Sequence, residues 1–119
     1  ISSHGLLLRV QLFPVRAFPE LKPRLGEARA AFDADLIGPH LQVRSPRPGD
    51  RFQPLGMEGH KKVSDFLIDL KWPRILRDEV LLLARGDEVV WIVGLRPSNR
   101  CRVSRDTREL ALVELGQLD

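Results

Sequence analysis

The sequence predicts an α+β, β-rich fold, and three observations carry that expectation. Val63, Phe66, Leu67 and Leu70 recur at helical spacing within residues 61–70 and define one main amphipathic helix. Two apolar runs, 80–84 and 89–93, flank Arg85-Gly86-Asp87-Glu88, a hairpin signal toward the C-terminus. The other apolar stretches are short and broken by proline, so they read as brief strands.

Taken in order, residues 6–13 alternate as a strand, and Pro14, Pro19 and Pro23 then prevent any long regular element. Residues 27–31 favour a helical turn by propensity, yet Ala31-Phe32-Asp33-Ala34-Asp35-Leu36 equally suits a strand ending at Gly38-Pro39. Leu41-Gln42-Val43 is a short strand. Pro46, Pro48-Gly49, Pro54, Gly56 and Gly59 then punctuate a turn-rich loop, a kind of segment that usually serves function. The helix must stop before Trp72, because Pro73 disfavours helical geometry in its predecessor. Pro73 opens a further turn that sets Arg74 and Arg77, three apart, on one side. After the hairpin, Cys101-Arg102-Val103 and 110–115 read as two more short strands. No internal repeat interrupts this order.

The chain has 119 residues, enough for one modest core, and its hydrophobic and charged fractions of 43% and 29% are those of a globular protein. No apolar run approaches the roughly 20 residues of a membrane span, and no signal peptide follows from Leu6-Leu7-Leu8, which meets Arg9 at once. The lone Cys101 cannot form an internal disulfide. A reducing, cytoplasmic location without membrane attachment is therefore expected. The chain starts at Ile1 rather than Met, and Ser2-Ser3-His4-Gly5 is a small polar run of the kind found at junctions. A piece of a longer protein, with further motifs upstream, is expected.

Charge is unevenly spread. Residues 44–78 hold Arg44, Arg47, Arg51, Lys61, Lys62, Lys71, Arg74 and Arg77 against Asp50, Glu58, Asp65, Asp69 and Asp78, which accounts for most of the positive excess of a chain with net charge +3. A polyanion is the first partner this implies. Lysines at the start of the 61–70 helix would oppose its dipole at about 0.3–1 kcal/mol each, so a phosphate there explains Lys61 and Lys62 better than stability does. The plainer alternative is a solvated face on which Lys61 pairs with Asp65 one turn on.

Chemistry is otherwise sparse. His4, His40 and His60 are isolated from one another and from Cys101, so no metal site is expected. His60, Ser64 and Asp65 sit too close in sequence to form a triad, and Ser64 and Asp65 read as first-turn helix residues. No phosphate-binding glycine loop occurs, and Arg85-Gly86-Asp87 reads as a turn. Phe66 belongs to the core face and Trp91 to a buried strand. Phe52 and Trp72 could stack on bases or pack beneath the loop. With so few exposed aromatics, structured RNA or DNA held by its backbone fits better than a single strand.

Several ordered motifs resemble a known family. Arg47-Pro48-Gly49-Asp50-Arg51-Phe52-Gln53-Pro54-Leu55-Gly56-Met57, then Lys61-Lys62-Val63-Ser64-Asp65-Phe66-Leu67-Ile68-Asp69, then Pro73-Arg74 and Arg77-Asp78, are similar to the C-terminal domain of bacterial tRNA(Ile)-lysidine synthetase. The match continues through Val90-Trp91-Ile92-Val93-Gly94-Leu95-Arg96 and Arg102-Val103-Ser104 to Thr107, covering about residues 30 to 115. Cys101 departs from it, since an aromatic is commoner there. The resemblance implies a small antiparallel β sandwich, shared with a domain of the phenylalanyl-tRNA synthetase β subunit, over residues 31–119, with 1–30 as an N-terminal strand and connecting segment. It also implies a noncatalytic role. The domain would grip the acceptor stem of the isoleucine tRNA with a CAU anticodon, while an N-terminal domain uses ATP and Mg²⁺ to join lysine to the wobble cytidine. By matching position, Pro54, Lys61, Lys62 and Phe66 would carry tRNA binding, the lysines on phosphates and Phe66 beneath them. Arg47, Arg51, Lys71, Arg74 and Arg77 of the same block complete the candidate set. No catalytic residue and no cofactor is assigned to this chain.

Two other classes stay open. One is an interaction module whose basic loop docks on an acidic face of the parent enzyme or on a second copy in a homodimer. The other is a small free-standing enzyme using Asp33, Asp35 or Asp50 as general acid and base.

Overall fold

The computed structural model describes residues 6–26 and 28–117, so the Ile1 start, the Ser2-Ser3-His4-Gly5 run and Glu27 lie outside the described residues. In chain order the elements are β1 (Leu6–Pro14), α1 (Phe18–Leu21), β2 (Arg29–Asp33), α2 (Ala34–Ile37), β3 (Gln42–Arg44), β4 (Arg51–Phe52) and β5 (Lys61–Lys62). There follow α3 (Val63–Asp69), β6 (Leu82–Arg85), β7 (Glu88–Ile92), β8 (Arg96–Pro97) and β9 (Glu109–Gln117). Short 3-10 turns fill Val15–Ala17, Lys22–Arg24, Arg74–Glu79 and Asn99–Cys101. The α+β, β-rich expectation holds, with one main helix, a hairpin and antiparallel pairing throughout.

The chain divides into two units, one joining residues up to Gly38 with those from Cys101 onward, the other Pro39–Arg100. In the first, β9 is the centre of a three-stranded sheet ordered β1-β9-β2. Its continuous apolar run Leu110-Ala111-Leu112-Val113 is buried on both faces, as a central strand requires. Leu21, Leu110 and Leu112 form the core beneath, joined by Phe13, Phe18, Leu25 and Val103. Pro19 and Pro23 each open a helical turn, where a missing N–H costs nothing.

Segment 29–37 resolves as a strand followed by a helical turn. The strand stops at Asp33 and does not run on to Leu36. The reason is a cap: Asp33 Oδ1 accepts the N–H groups of Asp35 at 2.9 Å and Leu36 at 3.3 Å. Its other oxygen accepts the hydroxyl of Thr107 at 2.7 Å, and Thr107 Oγ1 in turn accepts the Ser104 N–H at 2.9 Å. Asp33 is buried and spent on structure, so it is not free to act as a general acid or base. Thr107→Val should cost about 1–3 kcal/mol in urea denaturation, because it leaves buried polar groups without their partner.

The second unit carries a four-stranded sheet ordered β3-β6-β7-β8 and a two-stranded ribbon, β4-β5. Arg85 and Glu88 close the β6-β7 hairpin, and Gly86 takes the positive φ (61°) that its two-residue turn needs. Val63, Phe66 and Leu67 of α3 pack with Phe52, Val80, Leu82, Val89 and Ile92. Leu70 does not join them: it is 47% exposed, because α3 ends at Asp69 and the face is lost at the cap. Residues 101–103 are not a strand either. Cys101 closes a 3-10 turn, and the Ser98 hydroxyl accepts the Arg100 N–H at 3.1 Å to start it.

Candidate nucleic-acid interface

The loop from Arg44 to Lys62 is organised by one carboxylate. Asp50 takes both ends of the Arg44 guanidinium, each at 2.9 Å, and Oδ2 also accepts the Arg47 N–H at 2.7 Å. The pair is almost dry, with side chains 6% and 8% exposed. Burial pushes the Asp50 carboxyl up, but the Arg44 hydrogen bonds, the Arg47 N–H and both arginine charges outweigh it and hold the group below the usual carboxylate range. Arg44 is thus an internal partner and not a surface cation, and Asp50 no candidate acid or base. Gly49, at φ 88°, makes the tight return that brings Asp50 back to Arg44.

The Asp50 carbonyl accepts the Val63 N–H at 2.9 Å, which pins the start of α3 to the ribbon. Lys61 and Lys62 are therefore strand residues, paired with Phe52 and Arg51, and the helix starts at Val63. Side chains alternate across such a ribbon. Phe52 is buried and Lys61 half-buried on one face, while Arg51 and Lys62 are exposed on the other. Lys61 pairs with Asp69, not with Asp65. Arg51 and Lys62 stand directly opposite each other, and neither makes an ion pair among the described residues. Like charges placed this way destabilise a two-stranded ribbon. An anion laid across them removes that cost.

Phe66 supports the ribbon from below, edge-on to Phe52 with ring centroids 5.2 Å apart. Arg96 lies over the Phe66 ring at 5.5 Å and donates to the Leu55 carbonyl at 3.2 Å. The charge block did not point to Arg96, which lies outside it; the motif resemblance ran through it without giving it a role, and the ring contact supplies one. Pro54 is buried and bridges to Ser98, so it braces the loop. Arg47 is exposed at the loop's first turn. Arg100, beside Arg51 in a groove of about 280 Å³, pairs with Glu88 at 3.3 Å, and Asp87 lines the same groove. Its mixed charge suits a phosphate less well than the ribbon does.

Lys71, Arg74 and Arg77 lie past the other end of α3, which as a seven-residue helix rises about 10 Å. They form a second group. Lys71 has φ 57°, the one positive value outside glycine among the described residues. Its N–H donates to the Ile68 carbonyl at 2.8 Å and the Trp72 N–H to Leu67 at 2.9 Å, the paired bonds of a Schellman end. Lysine there costs about 1–2 kcal/mol against the glycine that such an end prefers. Arg77 is half-buried, and its Nε lacks a hydrogen-bond partner among the described residues.

A family model described as the TilS substrate C-terminal domain matches residues 41–114, which include the loop, the ribbon, α3 and the hairpin. The chain belongs to that family. Among curated relatives of this TilS-type domain, a tRNA(Ile)-lysidine synthase of Symbiobacterium thermophilum is 40% identical over 95% of the chain and 23% of its own length. One of Caldanaerobacter subterraneus subsp. tengcongensis is 45% identical over 75% of the chain and 19% of its own length. The chain thus spans about a fifth of the curated relatives it matches. A crystal structure of a TilS C-terminal domain superposes with TM-score 0.71 at 24% identity, over 97% of this chain and 86% of that one. An N-terminal fragment of the phenylalanyl-tRNA synthetase β subunit of Pyrococcus horikoshii gives 0.68 at 16% identity, over 92% and 39%. Both show the fold, including the shared architecture that the motif resemblance implied.

Proposed function

We propose that this TilS-type domain binds the acceptor stem of an isoleucine tRNA while a separate N-terminal domain of the same protein joins lysine to the wobble cytidine with ATP and Mg²⁺. The observation that carries this reading is the Arg51 and Lys62 pair, exposed, opposed and without carboxylate partners among the described residues. Such a pair suits successive phosphates on a duplex surface and fixes position without reading sequence. Lys61, held by Asp69, orients the ribbon, while Phe66, Pro54 and Arg96 keep its underside rigid. Arg47 extends the cationic edge. The binding portion is residues 31–119, with 1–30 as N-terminal strand and connection.

ATP and Mg²⁺ belong to the other domain in this reading. Among the described residues no three histidine, cysteine or acidic side chains gather as metal ligands. No helix among the described residues is long and apolar enough to cross a membrane. A cytoplasmic setting, where tRNA is modified, is part of the proposal. Nuclease footprinting of intact tRNA with the chain should protect the acceptor stem. Protection confined to the anticodon arm, or none with the chain in excess, would overturn it.

A further inference from the structure

The strained end of α3 holds more than charge. Ile75, on the 3-10 turn Arg74–Glu79, is 86% exposed, and Ile68, Leu70 and Leu76 nearby in sequence are each more than two-fifths exposed. The turn is held in place: the Trp72 indole Nε1 donates to the Leu76 carbonyl at 3.3 Å, and the Leu76 N–H donates to Pro73 at 2.9 Å. An apolar side chain is thus presented to solvent by a fixed backbone. Lys71 and Arg74 precede it in sequence, and neither makes an ion pair among the described residues. At Lys71 the backbone asks for glycine, and a long cation stands there instead. Strain kept for a cation suits an anionic partner better than an apolar protein face.

We propose that residues 68–76 form a second RNA contact distinct in kind from the ribbon, with Ile75 lying on ribose edges of the wide, shallow minor groove and Lys71 and Arg74 taking the flanking phosphates. A-form duplexes expose sugars in that groove, so an apolar side chain finds a surface there that a phosphate-only site cannot use. This inference rests on the RNA reading above. The two cationic groups, at opposite ends of α3, would then hold the duplex at two places.

The test is fluorescence anisotropy of the chain on an acceptor-stem RNA hairpin across a salt series. Ile75→Ser should weaken binding about tenfold, because a buried isoleucine contact is lost, without changing the slope of log affinity against log salt. Lys71→Gly should reduce that slope by about 0.7–0.9. The same substitution should raise the melting temperature by about 3–6 °C, since it relieves the left-handed strain. If both variants bind like wild type while Arg51→Gln still weakens binding, the second contact is wrong and the ribbon reading stands. If none of the three alters RNA binding, the RNA reading itself fails. Should Ile75→Ser leave RNA binding intact but abolish self-association in sedimentation, the surface belongs to a second copy of the chain, and the inference is overturned.

Discussion

Asp50→Ala is expected to cost about 3–5 kcal/mol, the penalty for stranding one charge of a buried pair. Three contacts end with that carboxylate: two to Arg44 and one to the Arg47 N–H. Arg44 would remain buried, its Nε already without a partner among the described residues. Replacing both members, as Arg44→Met with Asp50→Leu, should be far milder, because no charge is then stranded. The pH dependence follows the sign of the shift. The folded carboxyl titrates below its unfolded value, so its stabilisation is present above the ordinary aspartate range and is lost as pH falls through the lowered folded value. Melting curves from neutral to acid pH should therefore show a steeper loss for wild type than for Asp50→Asn. Parallel curves would mean that the pair contributes nothing.

The second large effect separates binding from folding. Arg51→Gln with Lys62→Gln removes two cations that repel each other across the ribbon, so stability should hold or rise by up to about 1 kcal/mol in urea. RNA affinity should fall in the same protein. The salt slope should drop by about 1.4–1.8, two phosphate contacts' worth. A residue pair that served folding would show the opposite pattern.

Local signals in the sequence were enough for α3 and the hairpin. Val63, Phe66 and Leu67 keep helical spacing within one turn or two, and Gly86 marks its turn without help from elsewhere. What escaped was non-local. Lys61 and Lys62 continue the apparent helix in sequence, but pairing with Arg51 and Phe52 and the bond from Val63 to the Asp50 carbonyl make them a strand. Arg44 looked like one more surface cation, since nothing in the spelling of Pro48-Gly49-Asp50 says that the chain turns back to bury the pair. Asp33 looked free until Thr107, far away in sequence, supplied its partner. The β1-β9-β2 sheet joins the two ends of the chain, and no short-range pattern encodes such pairing. The candidate site was legible as a basic block, but its arrangement was not. Only the fold sorts Arg51 and Lys62 on the open face from Arg44, buried against Asp50, and Lys61, paired with Asp69.

Salt dependence of wild-type binding to an acceptor-stem duplex tests the central claim most directly. A phosphate-gripping ribbon predicts that log affinity falls linearly with log salt, with a slope of about −1.4 or steeper from Arg51 and Lys62 alone. Affinity that ignores salt, or no binding even at low ionic strength, would contradict it.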